Sequence, residues 1–168
     1  GYEINVDWSL FLNPAVTIPS VSISSSLGST TTATTIPITV SFSESVTGFQ
    51  ASDVTVGNGT LSGFTGSGSS YNFNISPTSQ GDVTVNIAAS VAQDATGNNN
   101  TAASQFSIYY DAIPSLIIAS SVSSPTNSTP IPVTVTFSED VTGFESSDVT
   151  MGNGTLSDFA GSGVSYSF

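Results

Sequence analysis

Residues 41–73, SFSESVTGFQASDVTVGNGTLSGFTGSGSSYNF, return as residues 136–168, TFSEDVTGFESSDVTMGNGTLSDFAGSGVSYSF. Working outward from that pair, residues 18–73 align without a gap on residues 113–168, Ile18 answering to Ile113. About two-thirds of the paired positions are identical, which marks a whole domain in tandem because the period exceeds the roughly 20–50 residues of solenoid repeats. The organisation read from it is an N-terminal strand or linker over 1–17, a first domain over 18–111 and a second, truncated domain over 112–168. Nothing after Phe168 answers to residues 74–111, so the expectation is that further chain, or a neighbouring copy, completes the second domain.

Within one copy, apolar alternation and β-branched runs predict strands over 20–24, 36–42, 52–56, 60–64, 70–75, 82–88 and 105–110. Turn signals separate them: Gly28-Ser29, Thr47-Gly48, Gly57-Asn58-Gly59, Gly66-Ser67-Gly68, the run from Pro77 to Gly81, and Thr96-Gly97-Asn98. No stretch has an apolar period of 3.6. Seven short strands at this spacing predict an all-β chain of tandem immunoglobulin-like β-sandwich domains. With no cysteine there are no disulfides, so the core alone must hold the sheets. Its predicted inward set is Ile23, Ile38, Val40, Phe42, Phe49, Val54, Phe64, Tyr71, Phe73, Val83, Val85, Ile87, Phe106 and Ile108. Ahead of the repeat, Ile4, Val6, Trp8, Leu10 and Leu12 alternate with Asn5, Asp7, Ser9 and Phe11 and predict another strand with one strongly apolar face. It is read as the last strand of a preceding domain, a strand laid on the first domain, or a donor strand for another subunit.

Composition removes most chemistries. The 168 residues contain no Lys, Arg, His or Cys against 12 Asp and Glu, a formal net charge of −12. Such a chain neutralises no phosphate, so nucleic acid is excluded as a partner, and anionic membrane surfaces repel it. No apolar run reaches the ~20 residues of a membrane-spanning helix. Gly1-Tyr2-Glu3 is no charged leader region, so any export signal is expected to be already removed or to lie outside the sequence. Triads, thiol nucleophiles, Schiff bases and ordinary zinc sites are out of reach. Hydrophobic residues at 38% nonetheless suffice for a core.

The run FSE-x-VTGF-x-x-SDV-T-x-GNGTLS-x-F-x-GSG, then Y-x-F-x-I-x-P-x-x-x-GDVTV and D-A-T-G-N-N-N-T-A-A, resembles the bacterial Ig-like repeats of large surface adhesins. The resemblance covers residues 18–168. It implies an extracellular, cell-surface location and service as a stalk or adhesive repeat.

The remaining ligands are carboxylates, hydroxyls, amides and carbonyls, which suit hard cations such as calcium. In a sandwich of this order the loops after the second and sixth strands share one end. That end would gather Glu44, Asp94, Asn98 and Asn100 as candidate calcium ligands, and a second set is Asp111 with Glu139 and Asp140. The alternative for Asp94 and Asn98 is capping of their own turn. Asp53 and Asp148 read as turn caps, and Asn58 and Asn153 as positive-φ turn residues. Paired carboxylates could in principle serve a glycosidase, but no cleft-forming insertion or aromatic platform accompanies Glu44 and Asp94, so no enzyme is expected.

The expectation is therefore a stalk segment of an extracellular adhesin or cell-surface filament. Its partners are neighbouring repeats of the same chain, other copies in a filament, and a surface receptor or glycan. A self-assembling fibre subunit with strand exchange is the alternative, and a carbohydrate-binding module a third. Sequons at Asn58, Asn74, Asn99, Asn127 and Asn153 would accept glycans in a host that attaches them.

Overall fold

The structure, a computed structural model, describes residues 16–168. The alternating strand expected over 4–12 lies outside the described residues. The chain divides into two compact units between Ala112 and Ile113.

The first unit holds β1 (Val21–Ser25), β2 (Thr30–Thr31), β3 (Ile36–Val46), β4 (Val54–Gly57), β5 (Gly59–Pro77), β6 (Gly81–Ile87) and β7 (Phe106–Tyr110). They form two sheets, β1-β3-β5 and β2-β7-β6-β4. Every pairing is antiparallel except β2 with β7, where Thr30 and Thr31 run parallel to Tyr109 and Tyr110. Period-two burial explains the two longest contributors to the core. On β3, Ile36, Ile38, Val40 and Phe42 are buried while the residues between them face out, and on β6 Val83, Val85 and Ile87 do the same from the other sheet. With Tyr71, Phe73, Ile75 and Ile108 they make one core shared by both sheets. Each such side chain contributes about 1.5–3 kcal/mol when withdrawn from water, which replaces the missing disulfide.

One end of the core is aromatic. Phe42, Phe49 and Tyr71 pack edge to face with centroids 5.0–5.9 Å apart, and Phe64 stacks on Phe73 at 6.1 Å. The last contact shows that β5 folds back on itself. Thr65 Oγ1 donates to the Asn72 carbonyl, joining the two arms. Gly66 makes the turn possible: its φ is +124°, and a Cβ there would collide with the Ser70 carbonyl and Tyr71 Cα. The two strands expected over 60–64 and 70–75 are thus the arms of one hairpin.

The second unit holds β8 (Leu116–Ser120), β9 (Val133–Val141) and β10 (Ala160–Ser167) in a single sheet of order β10-β9-β8. Its aromatic cluster reproduces the first: Phe137–Phe144 at 5.2 Å, Phe144–Tyr166 at 4.9 Å, Phe159 stacked on Phe168 at 6.2 Å. Among its described residues only Val135 and Tyr166 are buried hydrophobics, and Leu116, Ile117 and Ile118 are exposed.

The structure departs from the sequence expectation in a strand start, an added strand and the membership of the core. The strand expected from residue 52 begins at Val54, because Ala51–Asp53 is a 3-10 turn in which Asp53 Oδ2 accepts the Gln50 N–H at 2.8 Å. Glu145 and Asp148 repeat that turn at 2.9 Å, so both aspartates are turn caps. Strand β2 had no signal in the sequence. Ile23, Val54, Phe64 and Phe106 pack against the core but are only half-buried, whereas Ile36, Val46, Ile75 and Ala92 join it fully.

Candidate functional site

The chain comes into the first unit beside the far end of β3. Ser43 N–H donates to the Ser20 carbonyl at 2.9 Å, Ser20 N–H to Ser43 Oγ at 3.0 Å, and Thr101 N–H to the Pro19 carbonyl at 2.9 Å. Just before this clip sits Thr17, on which the candidate residues converge. Its hydroxyl donates to Glu44 Oε2 at 3.3 Å, and its carbonyl accepts Asn98 Nδ2 at 3.2 Å. Glu44 keeps the inward phase of β3, two residues beyond Phe42 and two before Val46, and is half-buried at the rim of the core.

Asp94 organises the loop between β6 and β7. It is buried, with 7% of its surface exposed. Its Oδ1 accepts Thr96 N–H at 2.8 Å, Thr96 Oγ1–H at 2.9 Å and Asn98 N–H at 2.8 Å, while Oδ2 accepts Asn98 Nδ2–H at 2.8 Å. These donors, the Asn98 side-chain amide foremost, hold its carboxyl at about 2 against an ordinary 3.8, and partial burial opposes them. Gly97 N–H donating to the Asp94 carbonyl and Asp94 N–H to the Asn98 carbonyl close the turn. Asn100 is likewise spent on the backbone. Its Oδ1 accepts Val91 and Ala92 N–H at 2.9 and 2.8 Å, and its Nδ2 donates to the Ala88 and Thr101 carbonyls.

Glu44, Asp94, Asn98 and Asn100 therefore do share one end of the first unit. The lone pairs of Asp94 and Asn100 point at N–H groups of their own loop, and a cation there would have to displace those donors. Among the described residues no group of three or more His, Cys, Asp or Glu side chains stands close enough to hold a metal. Asp111 lies at the opposite end of its unit, its N–H donating to the Thr31 carbonyl at 2.9 Å. In the second unit Glu139 Oε1 is buried without a hydrogen-bond partner among the described residues, and exposed Asp140 lies beside Gly163. Sequence reasoning missed Thr17, the residue that ties Glu44 to Asn98, since a lone threonine before a strand carries no periodic signal.

The two sheets of the first unit, β1-β3-β5 and β2-β7-β6-β4, closed over one shared core, have the architecture of a two-sheet immunoglobulin-like sandwich. A family model described as Bacterial Ig-like domain matches residues 15–110 and, a second time, 111–168. The chain belongs to this family. No curated protein and no solved structure matches it. The two bacterial Ig-like matches meet between Tyr110 and Asp111, where the parallel β2–β7 pairing ends. Among the described residues, no helix is long and apolar enough to cross a membrane.

Proposed function

We propose that the chain is a non-catalytic spacer segment of an extracellular, cell-surface protein, an adhesin or filament, in which bacterial Ig-like domains carry a more distal part away from the cell. One observation carries this reading: the backbone crosses the first unit from end to end. It comes in beside Glu44 and Asn98, and leaves through Asp111 beside Thr31 at the opposite end. A domain threaded in this way adds its own length to whatever precedes it. Membership in the bacterial Ig-like family and the tandem match support the same reading. So does a surface without cationic side chains, which does not adhere to anionic envelopes. Calcium, the cation that suits an oxygen-only donor set, is the ion to examine at Asp94.

The experiment is brief treatment of intact producing cells with a broad-specificity protease, followed by mass spectrometry of the released peptides. The reading expects peptides from both repeats in the released fraction while cytosolic markers stay inside. Peptides recovered only after lysis would overturn it.

A further inference from the structure

Strands β1, β5, β2 and β4 stand at the ends of the two sheets of the first unit, and three of them are guarded against further pairing. β2 has two residues, β4 has four and follows Asp53 directly, and β5 is interrupted at Gly63, whose φ is +65°. β1 has no such device. It pairs with β3 on one side, in the register Val21↔Phe42 to Ser25↔Ile38. Ser43 N–H donates to the Ser20 carbonyl, so along this antiparallel ladder Ser22 and Ser24 turn their backbone groups to β3, while Val21, Ile23 and Ser25 turn theirs outward. Among the described residues no backbone group meets these three. The two repeats together show that chain on neither side of the strand covers it. In the first, every residue from β1 to Ala112 is described and none adds a strand to β1. In the second, β8 takes the same place at a sheet edge, and the strand immediately ahead of it, β7, is paired with β2 and β6.

Charge selects the occupant of this edge. Residues 18–43 contain no acid, and neither do residues 112–138 of the second repeat. The carboxylates of the first unit's described residues lie elsewhere: Glu44 and Asp94 at the entry end, Asp111 at the other, Asp53 beside β4 and Asp82 on β6. Two copies of a chain with twelve carboxylates and no cation repel each other, and β1 is the edge that sets no carboxylate opposite another. We propose that β1 pairs antiparallel with β1 of a second copy, joining two β1-β3-β5 sheets into one across a twofold axis at Ile23. In that register Ile23 exchanges both backbone bonds with its twin, Val21 does so with Ser25 of the second copy, and Ser22 stands opposite Ser24. Val21 and Ile23, half-buried in one chain, lose further contact with water. Five residues bury far less than the ~1,200 Å² of a stable interface, so one contact is weak, and tandem repeats carrying the same edge add to it. The pairing is independent of the spacer reading, since a domain in any setting would present the same edge.

The test is amide hydrogen exchange of the full chain, read by nuclear magnetic resonance at micromolar and millimolar concentration, with sodium chloride added to screen the remaining carboxylates. Protection of the Ile23 amide should rise several-fold with concentration, while that of Val85, paired within the other sheet, stays constant. Protection at Ile23 that does not change with concentration would mean that the chain closes its own edge, and no protection at millimolar chain in high salt would mean that the edge stays open. Either result overturns the proposal. The exposed serines give a second arm. Ser22→Glu with Ser24→Glu sets carboxylates opposite each other across the new contact and should weaken pairing roughly tenfold. Ser22→Glu with Ser24→Lys sets unlike charges there and should restore it. Association that ignores both double variants would lie at another surface and overturn the proposal as well.

Discussion

Asp94 concentrates at a single carboxylate what most of this chain lacks, a charged group with its oxygens fully engaged. Its pKa of about 2 in the fold against 3.8 outside it fixes the sign of its contribution. A carboxyl whose folded pKa is lowered stabilises the fold above the unfolded value, and that stability drains away as pH falls from about 4 towards 2. Asp94→Asn should therefore lower the melting temperature at neutral pH and flatten its decline across that acid window, as thermal melts at stepped pH would show. An unchanged acid profile would mean that the loop does not depend on the charge. The calcium proposal is tested at the same residue. Binding heat in calorimetry that exceeds a magnesium control and vanishes in Asp94→Asn would put a cation where the Thr96 and Asn98 donors now stand. What was legible here was proximity, since Asp94, Thr96 and Asn98 are close in sequence. The direction of Asn100 was not, because an amide donates and accepts equally well and only the surrounding backbone decides which it does.

Strands made by alternation could be read from sequence, and strands made by tertiary pairing could not. β3 and β6 declare themselves by burying every second residue. β2 is two threonines whose strand character exists only because β7 lies alongside, so no local pattern announces it. Ile36 and Ile75 lie outside the expected core although they face each other across β3 and β5, since the depth of a strand end depends on what the other sheet places above it. The aromatic cluster allows a comparison between elements. Phe42→Ala should destabilise the first unit by about 3–5 kcal/mol through the cavity left among Phe49 and Tyr71. Phe137→Ala, at a half-buried position in the same geometry, should cost its unit less. Denaturant titration with hydrogen exchange at β3 and β9 amides separates the two. Gly66→Ala should cost more than about 1 kcal/mol, because both φ and the approach of Ser70 and Tyr71 forbid a Cβ. A neutral result there would contradict the hairpin within β5.

For the molecule as a whole, twelve carboxylates stand without one cationic side chain. Self-repulsion opposes the folded state most where screening is least, so the melting temperature should climb with sodium chloride in chelator-treated buffer, most steeply below about 0.1 M. A flat response would show the charges too dispersed to matter. The proposed spacer role rests on one geometric claim, that the backbone passes through the first domain from end to end. The chain contains no cysteine, so Val16→Cys and Ala112→Cys give a clean pair of spin-label sites within that unit. The most direct measurement is the distance between these labels by pulsed dipolar spectroscopy. The account expects roughly 30–35 Å, the rise of a strand as long as the eleven-residue β3. A separation under about half that rise would place both termini at one end of the sandwich and contradict the spacer role.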